Sequence, residues 1–171
     1  MISILLTQNK RAIIDSDDYE RVSQFKWSAR KVRGRFYAGT GLYLGKIKDK
    51  YVTKTIHMHQ FILNIAGIDS KKIQVDHING DGLDNRKSNL RIVTPSQNRR
   101  NLQKLKSNNT SGYRGVTKNK KSGLYRARIV NLHGCREHLG YFSNAEQAAV
   151  AFDMAAVKFY GQYCGKLNFL N

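Results

Sequence analysis

Over the first fifty residues apolar and polar positions alternate in short stretches, which predict strands. They are Arg11-Ala12-Ile13-Ile14-Asp15, then Val22-Ser23-Gln24-Phe25-Lys26-Trp27 after a polar turn through Asp18, then Phe36-Tyr37-Ala38, with turns at Gly34, Gly39, Gly41 and Gly45. From His57 the period changes: Met58, Phe61, Ile62 and Ile65 recur at helical spacing until Gly67, predicting a short helix over His59 to Ala66. A finger follows over 73–102: a strand (Ile73 to Ile78), a Gly/Asn/Asp loop, a strand (Leu90 to Val93) and a helix. Thr94 caps that helix, Pro95 suits its first position and Gln97 completes a capping box. Beyond a polar connector at 103–111 the period is two. Tyr125, Ala127 and Ile129 share one face and Arg126 and Arg128 the other, while Arg136 and His138 share a face opposite Glu137 and Leu139. Tyr113-Arg114-Gly115-Val116 predicts a third strand, and Ser143-Asn144-Ala145-Glu146 a capping box. The box opens an Ala-rich helix with Ala148, Phe152, Ala155 and Phe159 along one stripe up to Gly161. The predicted class is α+β: a strand–strand–helix finger with a β lead-in (1–102), the connector, and a three-stranded antiparallel sheet packed on one helix (112–171).

Charge then narrows the partner. The 171 residues carry 30 Lys plus Arg against 12 Asp plus Glu, a formal charge of +18. A field of one sign over the surface serves no small-metabolite enzyme, whereas a polyanion binder gains affinity by releasing counterions from phosphates. Residues 1–106 hold 21 basic and 9 acidic side chains, net +12, and residues 107–171 hold 9 and 3, net +6. Within the latter, residues 107–143 hold 7 basic and 1 acidic, and 144–171 hold 2 of each, so one face of that half is expected to be positive. Cys135 and Cys164 make neither a disulfide framework nor a four-thiolate zinc site, which fits a reducing, intracellular, cytoplasmic setting. The apolar start ends at Thr7, too short for a signal segment or a membrane span.

The candidate chemistry lies in the finger. Asp76 and His77 are adjacent on a strand, so their side chains leave on opposite faces and take different tasks. Asp76 can hold a hard divalent cation through oxygen, and Asn98, one turn into the following helix, can offer a second oxygen. His77, titrating near neutrality, can take a proton from a water in line with a phosphodiester. Asn89 can tie the long loop to the strand through side-chain-to-backbone bonds. Alone, the Asp-His pair would read as an ordinary histidine in a solvated hairpin, but the combined spacing argues for a site. A calcium loop at Asn79-Gly80-Asp81-Gly82 lacks the remaining ligand spacing and the closing Glu.

Asp76-His77, Asn89-Leu90 and Asn98 within Thr-Pro-Ser-Gln-Asn resemble the His-Asn-His nuclease motif in its phage and intron-homing version. The upstream His57-Met58-His59-Gln60-Phe61, and the opening Ala12-Ile13-Ile14-Asp15 with Phe25-Lys26-Trp27, are similar to the lead-in of those proteins. The resemblance implies a ββα-metal (His-Me finger) domain in which His77 is the general base, Asn89 organises the loop, and Asp76 and Asn98 hold one divalent ion, Mg2+ or Mn2+. The zinc-binding cysteines of some relatives are absent, so no structural zinc is expected. His59 is a possible accessory residue.

The last part, residues 111–169, resembles the Apetala-two/ethylene-response-factor DNA-binding domain. The match is carried by Tyr113-Arg114-Gly115-Val116, Leu139-Gly140-Tyr141-Phe142, Ala145-Glu146-Gln147-Ala148-Ala149, Ala151-Phe152-Asp153-Met154-Ala155-Ala156 and Leu167-Asn168-Phe169. It implies DNA-facing positions at Arg114, Arg126, Arg128, Arg136 and His138. A sheet of this kind can lie in the major groove, where Arg pairs with guanine. Thr117, Asn119 and His138 depart from the plant pattern, so the plant target sequence does not transfer. The expectation is a metal-dependent, homing-type DNA endonuclease on double-stranded DNA, a monomer or weak dimer with no small-molecule cofactor. Arg99, Arg100 and Lys104 would follow phosphates between the two footprints. The alternative is a DNA-binding transcriptional regulator whose finger is catalytically silent. An RNA-binding reading is weaker, because the alternation places no aromatic pair on the basic sheet.

Overall fold

Ile2 to Leu5 form strand β1 (Ile2–Leu5), which pairs antiparallel with β2 (Arg11–Ile14). The computed structural model describes residues 1–47, 50–101, 105 and 107–169. The chain divides into two units, Met1–Pro95 and Ser96–Asn171.

In the first unit the predicted strand over Val22–Trp27 is instead a helix, α1 (Tyr19–Ser23), followed by a turn. Val22 is fully buried and Phe25, three positions on, packs against the same core, a spacing that fits a helix as well as a strand in so short a window. The indole of Trp27 then turns back and donates to the Val22 carbonyl at 2.8 Å. A sheet of order β3-β4-β5 follows, from β3 (Ser28–Val32), β4 (Arg35–Ile47) and β5 (Lys50–His57). Its middle strand runs far beyond the predicted Phe36–Ala38. Helix α2 (Met58–Ile62) begins one residue earlier than predicted and stops short of Ala66, because Asn64 takes a left-handed φ of 56° that an α-helix cannot contain. Strands β6 (Gln74–His77) and β7 (Leu90–Val93) pair antiparallel, with Asp76 opposite Arg91 and His77 opposite Leu90.

The core of this unit gathers Leu6, Ile14, Val22, Trp27, Met58, Ile62 and Leu90 from almost every element. The loop between β6 and β7 is sewn to the lead-in. Ile13 donates to Leu83 at 2.8 Å, Asn85 donates to Ile13 at 2.7 Å, and the Lys87 amide donates to the Asp15 carboxylate at 2.8 Å. Gly82 is required for this fit: a Cβ there would collide with the Phe36 carbonyl and the Tyr37 ring.

In the second unit, the helix predicted after Thr94 is a single turn, α3 (Pro95–Asn98), so Asn98 is its last residue. The sheet has order β10-β9-β8, with β8 (Val116–Lys118), β9 (Tyr125–Val130) and β10 (Arg136–Phe142). The first strand starts where it was predicted to end. Residues 113–115 are held as a loop by the Asn109 amide on the Tyr113 carbonyl (2.8 Å) and the Asn168 side chain on the Arg114 amide (2.8 Å). Ala127 and Ile129 face α4 (Ala145–Tyr160), whose Ala148, Ala149 and Ala156 are buried, so small side chains bring helix and sheet close. The cap is Asn144, which accepts from the Gln147 amide at 2.8 Å, one position later than the predicted Ser143 box. Among the described residues no helix is long and apolar enough to cross a membrane.

Candidate functional site

The strand pairing of β6 and β7 determines what surrounds Asp76 and His77. Both residues are buried, at 4% and 6% exposure. Asp76 lies opposite Arg91, whose Nε and Nη2 donate to its Oδ2 at 2.8 and 2.7 Å. On the other side of the strand His77 meets an aromatic wall. The His59 ring stands edge-on to it at 5.0 Å between centroids, Tyr37 lies at 5.8 Å, and His57 stacks on His59 at 5.3 Å. Helix α2 places His59, and β4 places Tyr37.

Burial and charge set the protonation of these imidazoles. Desolvation holds His77 below the usual histidine value, opposed in turn by its hydrogen bond with Asn85 and by the carboxylates of Asp76, Asp81 and Asp84. His59 lies well below, through burial first and then the neighbouring His77 and His57, and its Nδ1 has no hydrogen-bond partner among the described residues. His57 is lowered by burial and by Arg30. At neutral pH this is a patch of neutral imidazoles, able to accept protons and poor at holding them.

The loop is held through Asn89. Its Oδ1 accepts from the Asn79 amide at 3.0 Å, its Nδ2 donates to the Asp84 carbonyl at 2.8 Å, and its own carbonyl accepts from the Ile78 amide at 2.9 Å. Asp84 in turn binds Arg86 through both oxygens, at 2.8 and 2.6 Å, and accepts from the Asn79 side chain at 2.9 Å. The Arg86 contact is the main reason that its carboxyl lies below the usual range. Asn89 therefore joins the two ends of the loop directly behind His77.

In the second unit Arg126 and Arg128 leave the sheet on the face away from α4. Arg128 is opposite His138, and Arg126 is opposite Thr117 on one side and Tyr141 on the other. Tyr141 belongs to this face because the register slips between His138 and Gly140, where Gly140 has a φ of 133° that few other residues adopt. The bulge brings His138 and Tyr141 into ring contact at 4.7 Å, with Tyr141 49% exposed. The expectation that the basic sheet has no aromatic pair is therefore corrected: strict period two turned Tyr141 inward, and one extra residue turns it out. A cavity of about 570 Å³ is bordered by Arg99, Arg100, Arg114, Arg128, Arg136 and Lys166 and, among the described residues, by no acidic side chain. Arg100 lies over the Tyr160 ring at 4.0 Å, and its carbonyl accepts from Arg114 Nη1 at 3.4 Å. The Tyr160 hydroxyl donates to the Val130 carbonyl.

The expected residues thus fall into two groups. Asp76, His77, Asn89 and His59 belong to the first unit. Arg99, Arg100, Arg114, Arg128 and Arg136 come together around one cavity, with Arg126 and His138 on the sheet face beside it. Asn98 is described with the second unit, and Lys104 lies outside the described residues. The sequence pattern missed Tyr37, Arg91, Asp84 and Tyr141. Arg91 could have been found by setting Leu90–Val93 antiparallel to Gln74–His77, but no local pattern ties Tyr37 to a histidine forty positions on. Among the described residues no cluster of three His, Cys, Asp or Glu side chains is arranged to hold a metal ion.

Residues 56–100 match the family model described as HNH endonuclease. An uncharacterized HNH endonuclease of Acanthamoeba polyphaga mimivirus is 31% identical over 164 residues, covering 92% of this chain and 76% of that protein. Over 56 residues, 32% of the chain, an AP2-like ethylene-responsive transcription factor of Oryza sativa subsp. japonica is 46% identical, and so is one of Arabidopsis thaliana. The matched stretch spans only 9% and 10% of those two plant proteins.

Proposed function

Because the chain belongs to the HNH endonuclease family, we propose that it hydrolyses phosphodiester bonds in double-stranded DNA. In this reading Asp76, His77 and Asn89 form the cutting site of a ββα-metal finger, and the arginine face of the second unit holds the duplex. The observation that carries the proposal is His77: a buried imidazole kept neutral by desolvation, directly preceded on its strand by the buried carboxylate of Asp76. His77 accepts the proton of the attacking water, which needs a base that is unprotonated at the working pH. Asn89 keeps its orientation by pinning the loop behind it. His59, edge-on to His77, excludes water from one side of the ring.

Asp76 offers a carboxylate oxygen, the donor type a hard divalent cation takes, and the family resemblance implies an amide oxygen from Asn98 as the second donor. Mg2+ or Mn2+ held by these two residues would supply positive charge for a phosphate that gains negative charge in the transition state. Arg128, Arg136 and the exposed Arg99 offer the duplex phosphates a cavity that no acidic side chain borders among the described residues. One finger per chain makes a nick in one strand the product of a monomer.

The test is cleavage of supercoiled plasmid with Mg2+ or Mn2+. Nicking that requires the ion and disappears in His77→Ala supports the reading. Nicking that survives a chelator, or full activity of His77→Ala, would sink the mechanism. Tight DNA binding by the wild-type chain with no cleavage under any divalent ion would leave a DNA-binding regulator with a silent finger.

A further inference from the structure

In the Asp76–Arg91 pair the carboxylate is buried and the guanidinium largely covered, with side-chain exposures of 6% and 16%. Direct opposition across β6 and β7 sends the two side chains from one face of the hairpin, so the contact is built into the strand register. Arg91 Nε and Nη2 both reach Oδ2, at 2.8 and 2.7 Å. A two-pronged hold on one oxygen fixes the rotation of the carboxylate as well as its charge. A carboxylate removed from water without a counter-charge is disfavoured, so a cation beside Asp76 stabilises the folded finger.

We infer that Arg91 is a positioning residue for Asp76: its guanidinium neutralises and orients the carboxylate before a divalent ion arrives, and weakens the hold on that ion afterwards. The inference rests on the proposed role of Asp76. A fixed positive charge a few ångströms from the ion repels it, and that repulsion is only partly screened at a buried site. The residue that lets the site exist without metal therefore also keeps the metal exchangeable. Sequence alone hides this, since Arg91 lies among thirty Lys and Arg side chains and only the register singles it out.

The experiment follows Mn2+ binding to the full chain by calorimetry and by the metal-induced rise in melting temperature, with no DNA present. In chelator, Arg91→Met is expected to melt several degrees below wild type. Its Mn2+ affinity is expected to be about tenfold tighter, the effect of removing one nearby like charge. Arg91→Gln keeps a hydrogen-bond donor and removes only the charge, so it shows the same gain in affinity if the Met variant fails to fold. Mn2+ affinity that is unchanged or weaker in a folded Arg91 variant, while Asp76→Asn abolishes binding, overturns the role of Arg91 and leaves the metal site standing. If wild type shows no Mn2+ response that Asp76→Asn removes, the proposed metal role of Asp76 falls and this inference falls with it.

Discussion

His77 can act as a base only in its unprotonated form, and its environment favours that form. With its pKa held below 6.5 by burial, the acid limb of kcat/KM is expected to fall below pH 6.5 rather than at it, which a pH profile of nicking measures. The same sign governs stability. Between pH 6.5 and the lower folded-state pKa values of His59, His57 and His77, the unfolded chain binds protons that the folded chain refuses, so stability drops as pH falls through that window. Thermal melts from pH 7.5 to 5 should show the loss, and His59→Gln should flatten it most, because His59 is lowered furthest. Asn89→Ala removes one buried and one half-buried hydrogen bond and strands the Asp84 carbonyl and the Asn79 amide. It is expected to cost about 1–3 kcal/mol in denaturant unfolding and to reduce nicking beyond that loss. At this scale much was legible in the sequence. The spacing of Asp76, His77 and Asn89 pointed to side chains that the fold brings into one hairpin and its loop, since residue types at fixed offsets around a Gly/Asn loop are a local pattern. Tyr37 and the His59–His77 edge contact were not legible, because they arise where elements distant in the sequence meet.

Among the elements, the sheet of the second unit depends most on a single residue. Without the slip between His138 and Gly140, Tyr141 would point at α4, and the outer face would carry arginines and one imidazole but no exposed aromatic ring. Arg128→Ala is expected to weaken duplex binding by about 1–3 kcal/mol and to relax preference at one base position if the side chain reads a base edge. A uniform loss across sequences, measured by competition with a randomised site library, would assign it to phosphate. Tyr141→Ala should weaken binding less than Arg128→Ala, with Tyr141→Phe close to wild type if the exposed ring rather than the hydroxyl meets the nucleic acid. Helix α4 was legible from its alanine stripe, which repeats over sixteen residues. Helix α1 was not, since five residues with one buried valine satisfy two periods at once. The long β4–β5 ribbon was hidden by its exposure: few of its positions are buried, so no alternation marks it.

For the whole molecule, charge names the partner and the fold distributes the work. The cations that border the cavity of the second unit include Arg99 and Arg100, which composition alone assigned to the part before the connector. Arg100 lies on Tyr160 and binds Arg114 through its carbonyl, and Asn101 is 6% exposed. A fragment beginning at Ser96 is therefore expected to melt several degrees above one beginning at Ser107 and to bind duplex more tightly. Circular dichroism and a salt titration of binding would check both. The loop between β6 and β7 has a consequence of another kind. Ile13, Asp15 and the collision awaiting any side chain at Gly82 tie it to the first forty residues, so the finger is not a portable cassette. Grafted into another protein as residues 73–102 alone, it would lose the partners that shape the loop behind His77.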